Sequence, residues 1–447
     1  MTTTPTESQL PVGGCSEERG AAPTGFAVVG GATARLLAGP VRADGAESLQ
    51  SHERRLGELG LDQFSADALR QLIARSGLSG RGGGQFPTGR KLEAAIAQGG
   101  RALLVVNAAE GEPASRKDRT LLSTRPHLVL DGAAVAARAI RASEVVIYLH
   151  RKQREATDAL EAALAERGSE HVPVRIVDAP ARYVAGEASA VASYFAGRGA
   201  LPRKELRASS TKRLGQPQTI VVNTETAAHL GLIVRHSIDW FLDAGGASCP
   251  GSTLVTLGGE VAVPGVVAEV LSPVAIGDLL STLGGLDAAP AGVLLGGYAG
   301  AWIRGDVAWR TPVDRGALRG VGLSLGCGLI ASLGPGSCGI ATTSRLVNWL
   351  SQESAGQCGP CVLGLPSLAA LLAALANGEA SVDDLRDLRR TLLALDGRGA
   401  CGHPSGVVML VESALDTFSD EVLAHLKGRS CPPATKGFPI PRTAGGA

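Results

Sequence analysis

Between Ala102 and Leu242, short apolar runs alternate with longer stretches in which apolar residues recur every three or four positions. The runs predict strands at Ala102–Val106, Glu144–Leu149, Val172–Val177 and Thr219–Val222. The longer stretches predict helices at Arg90–Gln98, Pro126–Ala142, Lys152–Glu166, Ala188–Phe195 and Ala227–Leu242. Strand and helix in alternation imply βαβ units around a parallel sheet, an α/β fold of Rossmann-like type. After Gly245 the texture changes. Short β-rich runs at Thr253–Leu257, Val266–Val270 and Val293–Leu295 flank one helical piece, Ile276–Leu283, and predict a small α+β domain of β-grasp type. From Ser344 onward the period is helical, at Ser344–Gln352, Ser367–Asn377, Val382–Leu395, Val407–Phe418 and Glu421–Leu426, which predicts a C-terminal helical bundle. The expected organisation is a partly disordered lead over 1–70, an α/β domain over 71–244, the β-grasp-like domain over 245–335, the helical domain over 336–430 and a loose Pro- and Gly-rich tail over 431–447.

Composition narrows the classes. A chain of 447 residues with 45% hydrophobic content has material for two or three cores. A net charge of +1 without a basic block gives no electrostatic support for nucleic-acid binding. No apolar run reaches the roughly 18–20 residues of a membrane helix. Met1–Gly14, rich in Thr, Pro and Ser, has no basic segment followed by an apolar one, so a cytoplasmic location is expected.

Three features carry candidate chemistry. Gly77–Lys91 is a glycine-rich loop running into a helix, with Gly80, Gly82, Gly83 and Gly84 leaving room for a ligand and Arg81, Arg90 and Lys91 supplying charge. Such loops hold nucleotide or flavin phosphates, and the bland alternative is a flexible linker. Polar clusters follow two strands at their carboxyl ends, where ligands collect in parallel sheets: Asn107-Ala-Ala-Glu-Gly-Glu-Pro113 and Tyr183-Val-Ala-Gly-Glu187. Their carboxylates suit ribose hydroxyls or flavin N–H groups, although Glu187 fits a helix cap equally well. Of eight cysteines, Cys358-Gly-Pro-Cys361 forms a tight pair with Cys401 forty positions on, a pattern that favours thiolate chemistry over disulfides in a chain this long.

In one order, Gly80-Arg-Gly-Gly-Gly-Gln-Phe-Pro-Thr-Gly89, Asn107…Glu110-Gly-Glu-Pro113 with Lys117-Asp-Arg119, Tyr183…Gly186-Glu187, Asn223-Thr-Glu-Thr226, Gly296-Gly-Tyr298 with Trp302, and Glu353-Ser354 before Cys358-Gly-Pro-Cys361 resemble the flavoprotein subunit of respiratory NADH:quinone oxidoreductase. The diaphorase subunits of NAD-linked hydrogenases and formate dehydrogenases share the pattern. The resemblance spans about Leu72 to the helix after Cys401. It implies an FMN held by Gly80, Arg81, Gly82, Gly83, Lys91, Asn107 and Asn223, with Arg81 or Lys91 at the phosphate. It places Phe86, Glu110, Glu112, Tyr183, Gly186, Glu187 and Thr226 around the flavin and nucleotide. It also implies a 4Fe-4S cluster on Cys358, Cys361 and Cys401, NADH as electron donor, and a ferredoxin-like or other iron–sulfur subunit as electron-transfer partner.

Several positions depart from the family. Its cluster motif has a cysteine where this chain has Ala355, which leaves three thiolates for a site that takes four. Cys338, His403, water or a small thiol are candidates for the fourth ligand, and a three-iron form or the absence of a cluster are the alternatives. On the nucleotide side Ala109, Ala188 and Val222 replace polar family residues, and each lost charged bond or stacking ring removes about 1–3 kcal/mol of binding. Three functions follow: an NADH dehydrogenase flavoprotein subunit, an FMN and iron–sulfur module coupled to a ferredoxin without NADH, and a cofactor-free scaffold.

Overall fold

The computed structural model describes residues 26–40, 45–168, 172–204, 217–434 and 436–441. The expected disorder over Met1–Gly14, together with Cys15, lies outside those residues.

The first sheet has four parallel strands in the order Val174–Asp178, Ala142–Leu149, Ala102–Asn107, Gln218–Asn223. Its central strands are nearly continuous runs of β-branched and aliphatic residues because both faces are covered, and Val105, Val106, Val146 and Ile147 are fully buried. Helices Pro126–Ile140 and Thr224–His236 cross so closely that a methyl group at Gly132 would fall 1.6 Å from the Ala227 carbonyl oxygen. Glycine is the residue that permits this approach. The expected single helix Ala227–Leu242 is instead two, Thr224–His236 and Ile238–Leu242. Ser237 breaks it at φ 146°, and its hydroxyl accepts the Trp240 amide at 3.2 Å. The apolar period runs unbroken through the break, so periodicity could not reveal it.

The second sheet has six strands, ordered Phe26–Val29, Val267–Val270, Thr253–Gly259, Leu329–Leu333, Gly292–Leu295, Ala301–Arg304. Two antiparallel hairpins flank Leu329–Leu333, which runs parallel to Thr253–Gly259. Helix Ile276–Thr282 buries Ile276, Leu279 and Leu280 in one core with Val255, Val293 and Ile330. The chain before residue 70 corrects the expectation of a lead. Phe26–Val29 pairs in parallel with Val267–Val270 at the edge of this sheet, and Leu49–Leu56 and Ala66–Ser76 are helices. Buried Glu269 holds the intervening segment, accepting the amides of Arg35, Leu36 and Leu37 at 3.1, 2.8 and 3.0 Å and the Ser252 hydroxyl at 2.6 Å.

Helices Gly339–Gln352, Leu365–Ala376, Val382–Leu395, His403–Thr417 and Ser419–His425 share a core of Leu346, Leu350, Leu368, Leu372, Leu388 and Val411. The described part of the tail is docked rather than loose. Phe438 is fully buried beside Tyr298 and Trp302, the Gly259 amide donates to the Gly437 carbonyl at 3.0 Å, and the Tyr298 hydroxyl donates to the Pro439 carbonyl at 3.0 Å. A Pro- and Gly-rich composition had concealed one large aromatic anchor.

Candidate functional site

The carboxyl edge of the parallel sheet ends in a row of polar residues. Asn107 and Asn223 are register partners at the last positions of adjacent strands. Asn107 Nδ2 donates to the Gly186 carbonyl at 2.7 Å, and Asn223 Nδ2 donates to Asp118 at 2.8 Å while its Oδ1 caps helix Thr224–His236 at the Glu225 amide. The glycine loop lies above them. It is closed at its base by Gly80 N to Phe86 O and Thr88 N to Leu78 O, both 2.9 Å, and the Arg81 amide donates to Thr226 Oγ1 at 2.8 Å. A Cβ on Gly82 would meet Asn223 at 3.7 Å, whereas Cβ atoms on Gly83 or Gly84 would project into open space. Gln85, at φ 46°, reaches the Ser324 hydroxyl of the second sheet's unit at 2.9 Å. An open glycine edge above two strand-end amides fits a phosphorylated ring ligand.

The structure changes the part played by several expected residues. Arg81 is fully buried, and its guanidinium turns under the loop to Cys249 Sγ at 3.0 Å and the Pro250 carbonyl at 2.5 Å. It braces the loop and is not placed at a phosphate. Lys91 Nζ donates to the Val221 carbonyl at 3.0 Å, two residues before the strand's last residue, Asn223. Phe86 is half exposed at the loop. Glu110 is an anchor: it accepts from Ser115 Oγ at 2.6 Å and Arg119 Nε at 3.0 Å. Burial would raise its pKa, yet Arg119 holds the carboxyl below its ordinary value. Glu187 caps helix Ala188–Phe195, taking the Ser189 and Ala190 amides at 3.0 and 3.2 Å.

Glu112 is only half satisfied. Its Oε2 accepts the Tyr298 amide at 2.8 Å, its buried Oε1 has no hydrogen-bond partner among the described residues, and burial pushes its pKa up to about 7. The Tyr183–Gly186 turn is tied to the helical unit, since the Tyr183 amide donates to Glu353 at 2.9 Å and the ring meets Trp349 edge-on at 5.3 Å. Gly186 packs on Ala109, where a Cβ would fall 2.6 Å from the carbonyl oxygen.

Five residues past Glu353 comes the cysteine turn. Cys358 and Cys361 sulfurs are 3.5 Å apart at the start of the π-helical turn Pro360–Gly364. Cys401 lies close enough to interact electrostatically with both. The backbone amides of Ala400 and Cys361 near Cys358, of Gly356 and Gln357 near Cys361, and of His403 near Cys401 favour the ionised sulfurs. Burial opposes ionisation of Cys358, but these donors carry its thiol below the ordinary value, while burial and the neighbouring sulfur raise Cys361. Three thiols under amide donors fit a cluster with one iron left without a cysteine. The methyl of Ala355 offers no lone pair. His403 Nε2 is committed to the Leu350 carbonyl at 2.8 Å, and Cys338 to Glu421 and His425.

Sequence reasoning gave no role to Lys117, Asp118 and Arg315. Buried Lys117 bridges Asp118 at 2.7 Å and Glu225 at 3.0 Å, and Asp118 in turn receives the Asn223 side chain. Arg315, from the second sheet's unit, is buried with all three guanidinium nitrogens unpartnered among the described residues, in the field of Arg81, Glu225 and Cys249. The Lys117-Asp-Arg119 run marked the family without a part of its own, and a lone Arg looks like ordinary surface charge in a sequence. An apolar cleft of about 330 Å³, lined by Leu130, Ala133, Ala142, Val145 and Val174, sits at the amino ends of the strands and contains none of these groups.

A glycine loop at the carboxyl edge of a parallel sheet, joined through the Tyr183–Gly186 turn to Glu353, five residues before Cys358, has the parts of a flavoprotein of the electron-transfer class. Residues 73–231 match the Nuo51 FMN-binding domain, and residues 341–425 match the NADH-ubiquinone oxidoreductase-F iron-sulfur binding region. The chain is 32% identical over 409 residues to the NADH-quinone oxidoreductase F subunit of Streptomyces coelicolor, covering 86% of this chain and 89% of that one. It is 28% identical to the NADH-quinone oxidoreductase F 2 subunit of Rhizobium meliloti, over 83% of this chain and 92% of that one. A solved NAD+-reducing [NiFe]-hydrogenase in the H2-reduced state superposes with a TM-score of 0.75 at 26% identity, covering 83% of this chain, which spans 65% of the hydrogenase chain. This chain belongs to the family of NADH-quinone oxidoreductase F subunits.

Proposed function

We propose that this chain is a flavoprotein subunit with NADH dehydrogenase activity, passing electrons from NADH through FMN to an iron–sulfur cluster and on to an iron–sulfur partner subunit. The observation that carries the reading is the Tyr183–Glu353 bond, which joins the turn beside the flavin cradle to the end of the helix that leads into the cysteine turn. In this reading the Rossmann-like unit of 71–244 holds FMN, the β-grasp unit of 245–335 covers it, and the helical unit from 336 carries the cluster. Gly80, Gly82, Gly83, Asn107, Asn223 and Lys91 form the flavin cradle, with Thr226 and Arg81 fixing the loop. Cys358, Cys361 and Cys401 hold iron. Flavin supplies the chemistry that accepts a hydride and releases electrons singly. The residues of this chain supply alignment, and no general acid or base is required of them.

Glu112, buried and half-satisfied, faces the join of the first and second units and fits a ligand N–H or hydroxyl. Among the described residues the seven cysteines are free thiols, and no helix is long and apolar enough to cross a membrane. An anaerobic absorbance spectrum with flavin and iron assays, followed by NADH titration, tests the function. Rapid bleaching of flavin by NADH is expected. Flavin that stays oxidised with NADH but bleaches with a reduced ferredoxin would overturn NADH as donor, and a colourless protein would overturn the reading as a whole.

A further inference from the structure

A second cluster of metal-ligating side chains lies on the helical unit and shares no residue with Cys358, Cys361 and Cys401. Cys338 precedes helix Gly339–Gln352 and caps it through Sγ, which accepts the Ala341 amide at 3.3 Å. His425 ends helix Ser419–His425 and is fully buried. Cys431 lies on the segment that follows. One donor atom from each of Cys338, His425 and Cys431 falls within 4.8 Å of the other two, and Cys338 Sγ is 3.2 Å from His425 Nε2. The ligand atoms of a tetrahedral zinc ion lie roughly 3.3–3.8 Å apart, given Zn–S near 2.3 Å and Zn–N near 2.0 Å. Glu421 adds a carboxylate 3.0 Å from Cys338 Sγ, held by the Ile340 amide at 3.0 Å.

A hydrogen-bond cluster alone accounts poorly for this arrangement. The Cys338 thiol can donate to Glu421 and accept from His425 Nε2–H, but that tautomer leaves the buried Nδ1 of His425 as an acceptor with no donor among the described residues. No hydrogen bond at that nitrogen fixes the ring's tautomer. Two sulfurs and an imidazole make a borderline-soft donor set, suited to Zn2+ and poorly suited to Mg2+ or Ca2+.

We propose that Cys338, His425 and Cys431 bind a structural Zn2+, with Glu421 or a water completing the tetrahedron, and that the ion staples the C-terminal segment to the helical unit. Binding displaces the two thiol protons to solvent, and no redox change is involved. The backbone already converges there. The Cys338 amide donates to the Pro432 carbonyl at 3.1 Å, Cys338 and Pro433 form a parallel bridge, and the Ala434 amide donates to Thr342 Oγ1 at 2.9 Å. Beyond this point the segment carries Phe438 against Tyr298 and Trp302, so the ion would fix the strap that covers the second sheet.

The test is zinc analysis and zinc K-edge X-ray absorption on the full chain purified with its flavin and iron, because that edge is blind to iron. One zinc per chain is expected, with a first shell of two sulfurs at about 2.3 Å and two nitrogen or oxygen atoms at about 2.0 Å. Cys358→Ser should leave zinc content unchanged. Cys431→Ser, at an exposed position where the change leaves the core intact, should lower zinc retention against a competing chelator at least tenfold and raise amide exchange over 431–441. Absence of zinc after reconstitution with Zn2+, a shell without sulfur, or full zinc retention in Cys431→Ser would each overturn the proposal.

Discussion

The Glu112 carboxylate accepts the Tyr298 amide at 2.8 Å, a bond from the loop after the central strand of the first sheet to the turn between two strands of the second. Burial raises this carboxyl from its ordinary 4.5 to about 7, so the folded protein holds a proton that the unfolded chain releases. Stability from this group is complete below pH 4.5 and declines as pH rises towards 7, by about 3 kcal/mol in all. Denaturant unfolding of apo-protein at pH 5 and pH 8 should show that loss, and Glu112→Gln should remove most of it.

Two glycines should separate ligand binding from folding. Gly83→Ala adds a methyl group to open space, so apo stability should stay within about 0.5 kcal/mol while the FMN Kd rises about tenfold or more. Gly89→Ala places a methyl group 2.7 Å from the Ala74 Cα and should cost about 1–3 kcal/mol. Chemical unfolding and flavin fluorescence titration on the two variants check both halves.

Arg81→Ala should act on stability before affinity. It strips buried partners from the Pro250 and Gly251 carbonyls, a loss of about 2–3 kcal/mol. Flavin titration of the folded fraction should show a smaller change than Gly83→Ala. A large loss of FMN affinity with unchanged stability would return Arg81 to the phosphate.

Ala355→Cys should supply the missing thiolate. In the native chain one iron is expected to leave on mild oxidation, giving the paramagnetic signal of a three-iron cluster, and the variant should resist that loss. Iron assays and electron paramagnetic resonance before and after ferricyanide treatment read the difference.

Much of this arrangement was legible because its signals are local. The run Leu103-Leu-Val-Val106 is a buried strand by pattern, and a polar residue directly after it marks a ligand edge. Helix Ala188–Phe195 was readable to the residue, and Cys358, Cys361 and Cys401 do converge. What escaped depends on distant partners. Nothing around Arg81 announces that Cys249 and Pro250 wait beneath the loop, and nothing around Phe26 announces Val267. Glu110 looked like a ligand because a carboxylate in a loop has the same letter whether it faces a flavin or an Arg119 guanidinium, whereas the cap formed by Glu187 was one of its two readings from the start.

The pairing of Phe26–Val29 with Val267–Val270 also bears on the order in which the molecule is made. On the ribosome the first strand emerges more than two hundred residues before its partner, so it must wait through synthesis of the entire parallel sheet. Until Glu269 arrives, the Arg35–Leu37 amides have no carboxylate to bind. The α/β unit is therefore free to close first, and the opening strand becomes a late seam sewn onto a neighbour that did not yet exist when it left the exit tunnel.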